Sequence, residues 1–154
     1  MPTRTLLAVS ALLLTPSALN AQWFSRMNPP LPLWADSALT RAGFWGSYDL
    51  SSRTSPQFAL GDLDGDGLWD LAVSIVDRGG RRRGIAIVHQ IDRSVHVVGA
   101  GQPVGNGPDQ LPSTAGWNVE ELLSNRSGVH VVGWHTSAWI VWNGRTYVWV
   151  PETD

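Results

Sequence analysis

From Phe58 onward the chain is a succession of short runs rich in Val, Ile and aromatic residues, each bounded by Gly, Asn or Asp, and this pattern points to a β architecture. The runs are "LAVSIVD" (71–77), "GIAIVHQ" (84–90), "SVHVVGA" (94–100), "VHVVGWH" (129–135), "AWIVWN" (138–143) and "RTYVWV" (145–150). "WNVEELLS" (117–124) reads equally as a helical turn or a strand. "GAGQPVGNGPDQLPSTAG" (99–116) is too rich in Gly, Pro and polar residues for either element and reads as a long loop.

One segment breaks the β pattern. Trp34, Ala35, Ala38, Leu39 and Ala42 fall on one helical stripe, with Gly43 placed as the residue that ends a helix, so the spacing predicts a short amphipathic helix over 33–42. The fold class that follows is mainly β: an antiparallel sheet or meander of six to seven short strands, with one N-terminal helix packed on it. Asn143-Gly144 between two apolar runs predicts a two-residue hairpin turn, opposing Trp142 to Arg145, Ile140 to Tyr147 and Ala138 to Trp149. Trp139, Val141, Thr146 and Val148 then share the other face. Both faces are apolar, so cover is expected on both, the helix being a candidate for one.

The first residues carry a different signal. Arg4, the apolar stretch Leu6–Leu14 and the small residues ahead of Gln22 read as a secretory signal peptide over 1–21, with export to the periplasm or the exterior as the expectation. The stretch is too short to span a bilayer, which takes about 20 apolar residues. Residues 22–32 carry three prolines and read as an extended lead-in, leaving 33–154 as a single domain. The chain holds no cysteine, so neither a disulfide nor a thiol nucleophile is available. A net charge of −2 is not the balance of a nucleic-acid binder.

Within the β region, "GDLDGDGLWDLAV" (61–73) crowds Asp62, Asp64, Asp66 and Asp70 into nine residues, with no Lys or Arg between Arg53 and Arg78. Carboxylates about 4 Å apart repel by roughly 1 to 4 kcal/mol per pair, depending on the local dielectric. A bound cation relieves that repulsion. Counting Asp62 as position 1, acids stand at 1, 3, 5 and 9, Gly67 at 6, and Leu68 at 7, where a backbone carbonyl serves. Gly65 and Gly67 permit the sharp turns that aim alternate carboxylates inward. Position 12 is Val73, inside a strand, where an EF-hand would carry a bidentate Glu and run into a helix. This is an EF-hand-like spacing in a β context, and calcium is the expected cofactor.

These residues resemble the calcium loop of the FG-GAP/VCBS repeats, the units of integrin α-chain propellers and of many bacterial secreted proteins. The resemblance covers residues 58–77 and implies calcium ligation by Asp62, Asp64, Asp66, the Leu68 carbonyl and Asp70. It extends to one loop, not to the roughly four to eight blades of a propeller.

Other features are weighed against plainer roles. His89 and His96 lie on different strands, and His130 and His135 point to opposite faces, so no zinc set is spaced along the chain. "RGGRRRG" (78–84) joins two strands and reads as a solvated hairpin tip rather than a polyanion patch. "NRS" (125–127) fits a glycosylation acceptor, a short and common pattern. Nine Trp favour core, most of those in the last hairpin included, over a sugar-binding platform. Ser appears without a nucleophile elbow, and adjacent Glu120 and Glu121 have no catalytic partner in the sequence. The expected function is a calcium-stabilised, non-enzymatic binding domain whose partner is an envelope or extracellular protein or a glycan. A carbohydrate- or cell-wall-binding module using exposed Trp is the alternative, with a small hydrolase around loop 99–116 behind it.

Overall fold

The computed structural model describes residues 30–112, 116–122, 126–133 and 137–153. The expected signal peptide, most of the proline-rich lead-in, Asn125 and His135 lie outside the described residues. Among those residues no helix is long and apolar enough to cross a membrane.

Among the described residues the protein is mainly β, with nine strands in two antiparallel sheets and one α-helix. The first sheet holds β1 (Tyr48–Leu50), β2 (Phe58–Gly61), β3 (Asp70–Asp77), β4 (Arg83–Val88) and β5 (Val95–Gly99). Its β1 and β2 pair with successive halves of the long β3, which then runs against β4, and β4 against β5. The second sheet is the up-and-down meander β6 (Gly116–Glu121), β7 (Ser127–Val132), β8 (Ser137–Trp142) and β9 (Tyr147–Pro151). The segment 117–121, ambiguous from its sequence, is a strand, and β1 and β2 add two short strands that no run of apolar residues announces.

Helix α1 (Leu33–Arg41) ends as its sequence predicts, with Gly43 in the left-handed region at φ 67°. It buries Ala35, Ala38 and Leu39, but against the first sheet rather than the last hairpin. The reason lies in β3 and β4, which are apolar on both faces. Leu71, Val73, Ile75, Ala86 and Val88 face the helix side, while Ala72, Ile85 and Ile87 face the second sheet. The layers are therefore helix, sheet, sheet, with β3 and β4 at the centre. Val104 and Leu111, from the long loop after β5, are buried anchors in the inter-sheet core.

The last hairpin pairs Trp142 with Tyr147, Ile140 with Trp149 and Ala138 with Pro151, two residues out of the expected register. Gly144, at φ 94°, and Arg145 occupy the turn centre. Asn143 does not take positive φ; its side-chain oxygen accepts the N–H of Arg145 and of Thr146, each at 2.9 Å. A two-residue shift keeps every side chain on its original face. Ile140 and Tyr147 are accordingly core, with Trp142 and Trp149 half-buried against it. Trp139 is on the outer face, stacked on His130 at 4.3 Å between ring centroids, so the expectation of a core position fails for it. Val132 and Val150 are exposed.

Candidate metal centre

The acidic loop joins β2 to β3 and is shaped by its own carboxylates. Asp62 Oδ1 accepts the Gly65 N–H (2.8 Å) and Oδ2 that of Gly67 (3.0 Å). Asp64 Oδ1 accepts the Asp66 N–H (3.0 Å), and Asp66 Oδ1 that of Leu68 (2.7 Å). Gly65 and Gly67 take φ of 87° and 88°, a region where other residues are strained. The resulting coil brings one carboxylate oxygen each from Asp62, Asp64 and Asp66 within 4.8 Å of one another. These groups could hold a metal ion, and an all-oxygen set of this kind suits a hard cation. Leu68 is exposed at the loop tip, beside Trp69, which is 66% exposed.

Asp70 lies behind this trio and is fully buried. Its Oδ2 accepts the N–H of Leu63 (2.9 Å) and of Asp64 (3.2 Å), and its Oδ1 that of Gln90 (2.8 Å). Three of about four lone-pair positions on a carboxylate are thereby occupied. Burial pushes the Asp70 carboxyl up to about 6, with the Asp64 charge adding to the rise and the Gln90 and Leu63 N–H groups opposing it. Asp64 is also raised, chiefly by burial; the Asp66 N–H and His89 oppose the rise, and the neighbouring Asp66 and Asp62 charges add to it.

A second group forms around Asp64. With Asp70 and His89 it places three potential ligand atoms within 4.8 Å of one another. His89 follows β4 directly, and the pairing of Leu71 with Val88 puts it beside Asp70. Its Nδ1 is 3.3 Å from Asp64 Oδ2, and its Nε2 is 2.8 Å from Tyr147 Oη on the second sheet. His96 and Trp142 complete an aromatic cluster around the His89 ring, at 4.7 and 5.0 Å between centroids. Nothing in the sequence spacing links His89 to the acidic loop; the β3–β4 register does.

The remaining candidates separate from this centre. His130 lies between Glu120 Oε1 (3.2 Å) and Glu152 Oε2 (3.4 Å) on the outer face of the second sheet. Arg82 in the Arg-rich tip pairs with Asp77 and Asp109. An apolar cleft lined by Leu31, Leu50, Ser51, Gln57, Phe58, Val73 and Ser74 contains no titratable side chain. No protein family, curated protein or solved structure matches the chain.

Proposed function

We propose that the protein is an exported, non-enzymatic binding domain stabilised by calcium. Asp62, Asp64, Asp66 and the Leu68 carbonyl supply its inner ligands, and Asp70 braces the loop from behind with its remaining lone pair turned to the ion. The convergence of three carboxylates on one glycine-turned coil carries this reading. The resemblance of residues 61–73 to an FG-GAP/VCBS calcium loop supports it, as does the leader-like sequence of residues 1–21 for export. The partner is an extracellular or envelope protein. Exposed Leu68 and Trp69 at the rim of the loop offer it an apolar contact. A sugar platform built on a row of Trp finds less support, because Trp69 is the one exposed Trp among the described residues.

Calcium at such extracellular sites binds with Kd of order 10⁻⁴ to 10⁻³ M. Binding to the native state alone adds RT ln(1 + [L]/Kd), about 1.4 kcal/mol at ten times Kd. Thermal unfolding in chelator and then in calcium up to about 10 mM, ten times the weaker Kd of that range, tests the reading. Tm rises with calcium, and rises less with magnesium, which demands stricter octahedral geometry. Asp64→Ala and Asp66→Ala abolish the response. A melting curve unchanged between chelator and calcium overturns the proposal.

A further inference from the structure

We infer that His89 and Tyr147 are positioning residues of the cation site, and that through them occupancy at Asp64 is coupled to the packing of the two sheets. The inference rests on the calcium reading above and adds two residues remote in sequence from the loop.

Both ring nitrogens of His89 are engaged inside the protein, where the side chain is 2% exposed. Burial and the surrounding carboxylates hold the Tyr147 phenol far above its ordinary range, so Oη keeps its proton. A carboxylate accepts and a phenol hydroxyl donates or accepts, so a ring nitrogen facing each of them joins the two through one imidazole. The imidazole thus bridges the Tyr147 hydroxyl, hydrogen-bonded to Nε2 at 2.8 Å, and the Asp64 carboxylate, whose Oδ2 lies 3.3 Å from Nδ1. Asp64 Oδ1 is held from the other side by the Asp66 N–H. The carboxylate that belongs to both candidate groups is thus oriented at both oxygens, one of them through a chain that begins on β9.

Outer partners of this kind fix the orientation of a ligating carboxylate, and their loss typically lowers metal affinity by about 10- to 100-fold. The coupling runs both ways, because a group that strengthens ion binding is itself held more firmly by the bound ion. A second connection lies alongside: the Asp62 backbone carbonyl accepts the Ser127 N–H of β7 at 2.6 Å. The loop is therefore tied to the second sheet directly at Asp62 and, through His89, at Asp64.

Tyr147→Phe keeps the buried ring and removes only Oη. Calcium affinity is measured by titration on the wild type and the variant, and amide hydrogen exchange of β8 and β9 is followed in chelator and in calcium. In the wild type, calcium slows exchange in the loop and in β8–β9. In Tyr147→Phe, Kd for calcium rises about tenfold, and the calcium-induced slowing in β8–β9 is lost while that in the loop persists at saturation. Val131→Ala, which weakens the second sheet away from the chain of bonds, leaves Kd within about twofold, the additivity expected of separate sites. His89→Gln carries its amide donors and acceptor at a single end, cannot bridge both partners, and weakens calcium binding in the same direction, so it replaces Tyr147→Phe if that variant does not fold. Wild-type calcium affinity in the substituted protein, or an equal loss in Val131→Ala, overturns the inference. A wild type that binds no calcium overturns the calcium reading itself, and is seen before any variant is made.

Discussion

The indole N–H of Trp117 donates to Ser74 Oγ across 2.7 Å in the buried space between the sheets. Trp117 is on β6 and Ser74 on β3, and the Ser74 hydroxyl in turn donates to the Pro56 carbonyl at 3.0 Å. Ser74 is the polar break in the apolar run Leu71–Val76 of β3, positioned where β1 gives way to β2 along that strand. Ser74→Ala strands the indole N–H in the core and is expected to cost about 1–3 kcal/mol. Urea unfolding checks it: the midpoint falls with the slope unchanged.

The acids of the loop divide into two kinds, and substitution separates them. Asp70→Ala removes the acceptor of three backbone N–H groups and is expected to cost about 2–4 kcal/mol even in chelator, since buried donors are left unpaired. Asp66→Ala removes one exposed bond and relieves repulsion, so in chelator its effect stays within about 0.5 kcal/mol. On the proposed calcium reading the order of consequence is expected to change in calcium, because Asp66→Ala removes a ligand. Paired denaturation curves with and without calcium distinguish the two.

Much of this architecture was legible in the residues. The 3.6-residue stripe from Trp34 to Ala42 and the left-handed Gly43 fixed α1, and the alternation of acids from Asp62 to Asp66 marked the loop. What periodicity does not encode is partnership. Two apolar faces on β8–β9 do not say which sheet the helix covers; the apolar residues on both faces of β3 and β4 do, once those strands are central. Tyr48–Leu50 and Phe58–Gly61 are too short to show a pattern and become strands because β3 is long enough to pair with both. The hairpin register turned on whether Asn143 would supply φ or an acceptor. His89 entered the candidate metal centre through a register that no linear spacing contains.

Close approach of strands sets another expectation. A Cβ built on Gly84 would lie 2.4 Å from the Val98 carbonyl oxygen and 2.7 Å from the Ala100 nitrogen, both backbone atoms that no rotamer change can move. Gly84→Ala therefore separates β4 from β5 and costs about 1–3 kcal/mol or more. Gly144→Ala meets no neighbour within 4 Å, and its penalty comes from φ 94° alone. Thermal unfolding of both variants is expected to rank Gly84→Ala as the more destabilised.

The Arg-rich turn gives the last prediction, and its sign follows from one carboxylate. Asp77 Oδ1 accepts the N–H of Arg81 (2.8 Å) and of Arg82 (3.0 Å), and Oδ2 lies 3.3 Å from Arg82 Nε. These contacts, the Arg82 and Arg81 backbone N–H groups first, hold the Asp77 carboxyl below its ordinary value of 3.8. The native state thus binds this proton less readily than the unfolded chain. The stabilisation is fully present above the unfolded value and is lost as pH falls through the folded one. Asp77→Asn keeps an acceptor oxygen for the turn but carries no charge, so it is less stable than wild type at neutral pH, and the gap closes as pH falls from the ordinary value of 3.8 through the lowered native one. Urea midpoints of the two proteins across that range provide the measurement. A gap of constant size down to about pH 2 would show that the turn is held by its hydrogen-bond geometry and not by the Asp77 charge.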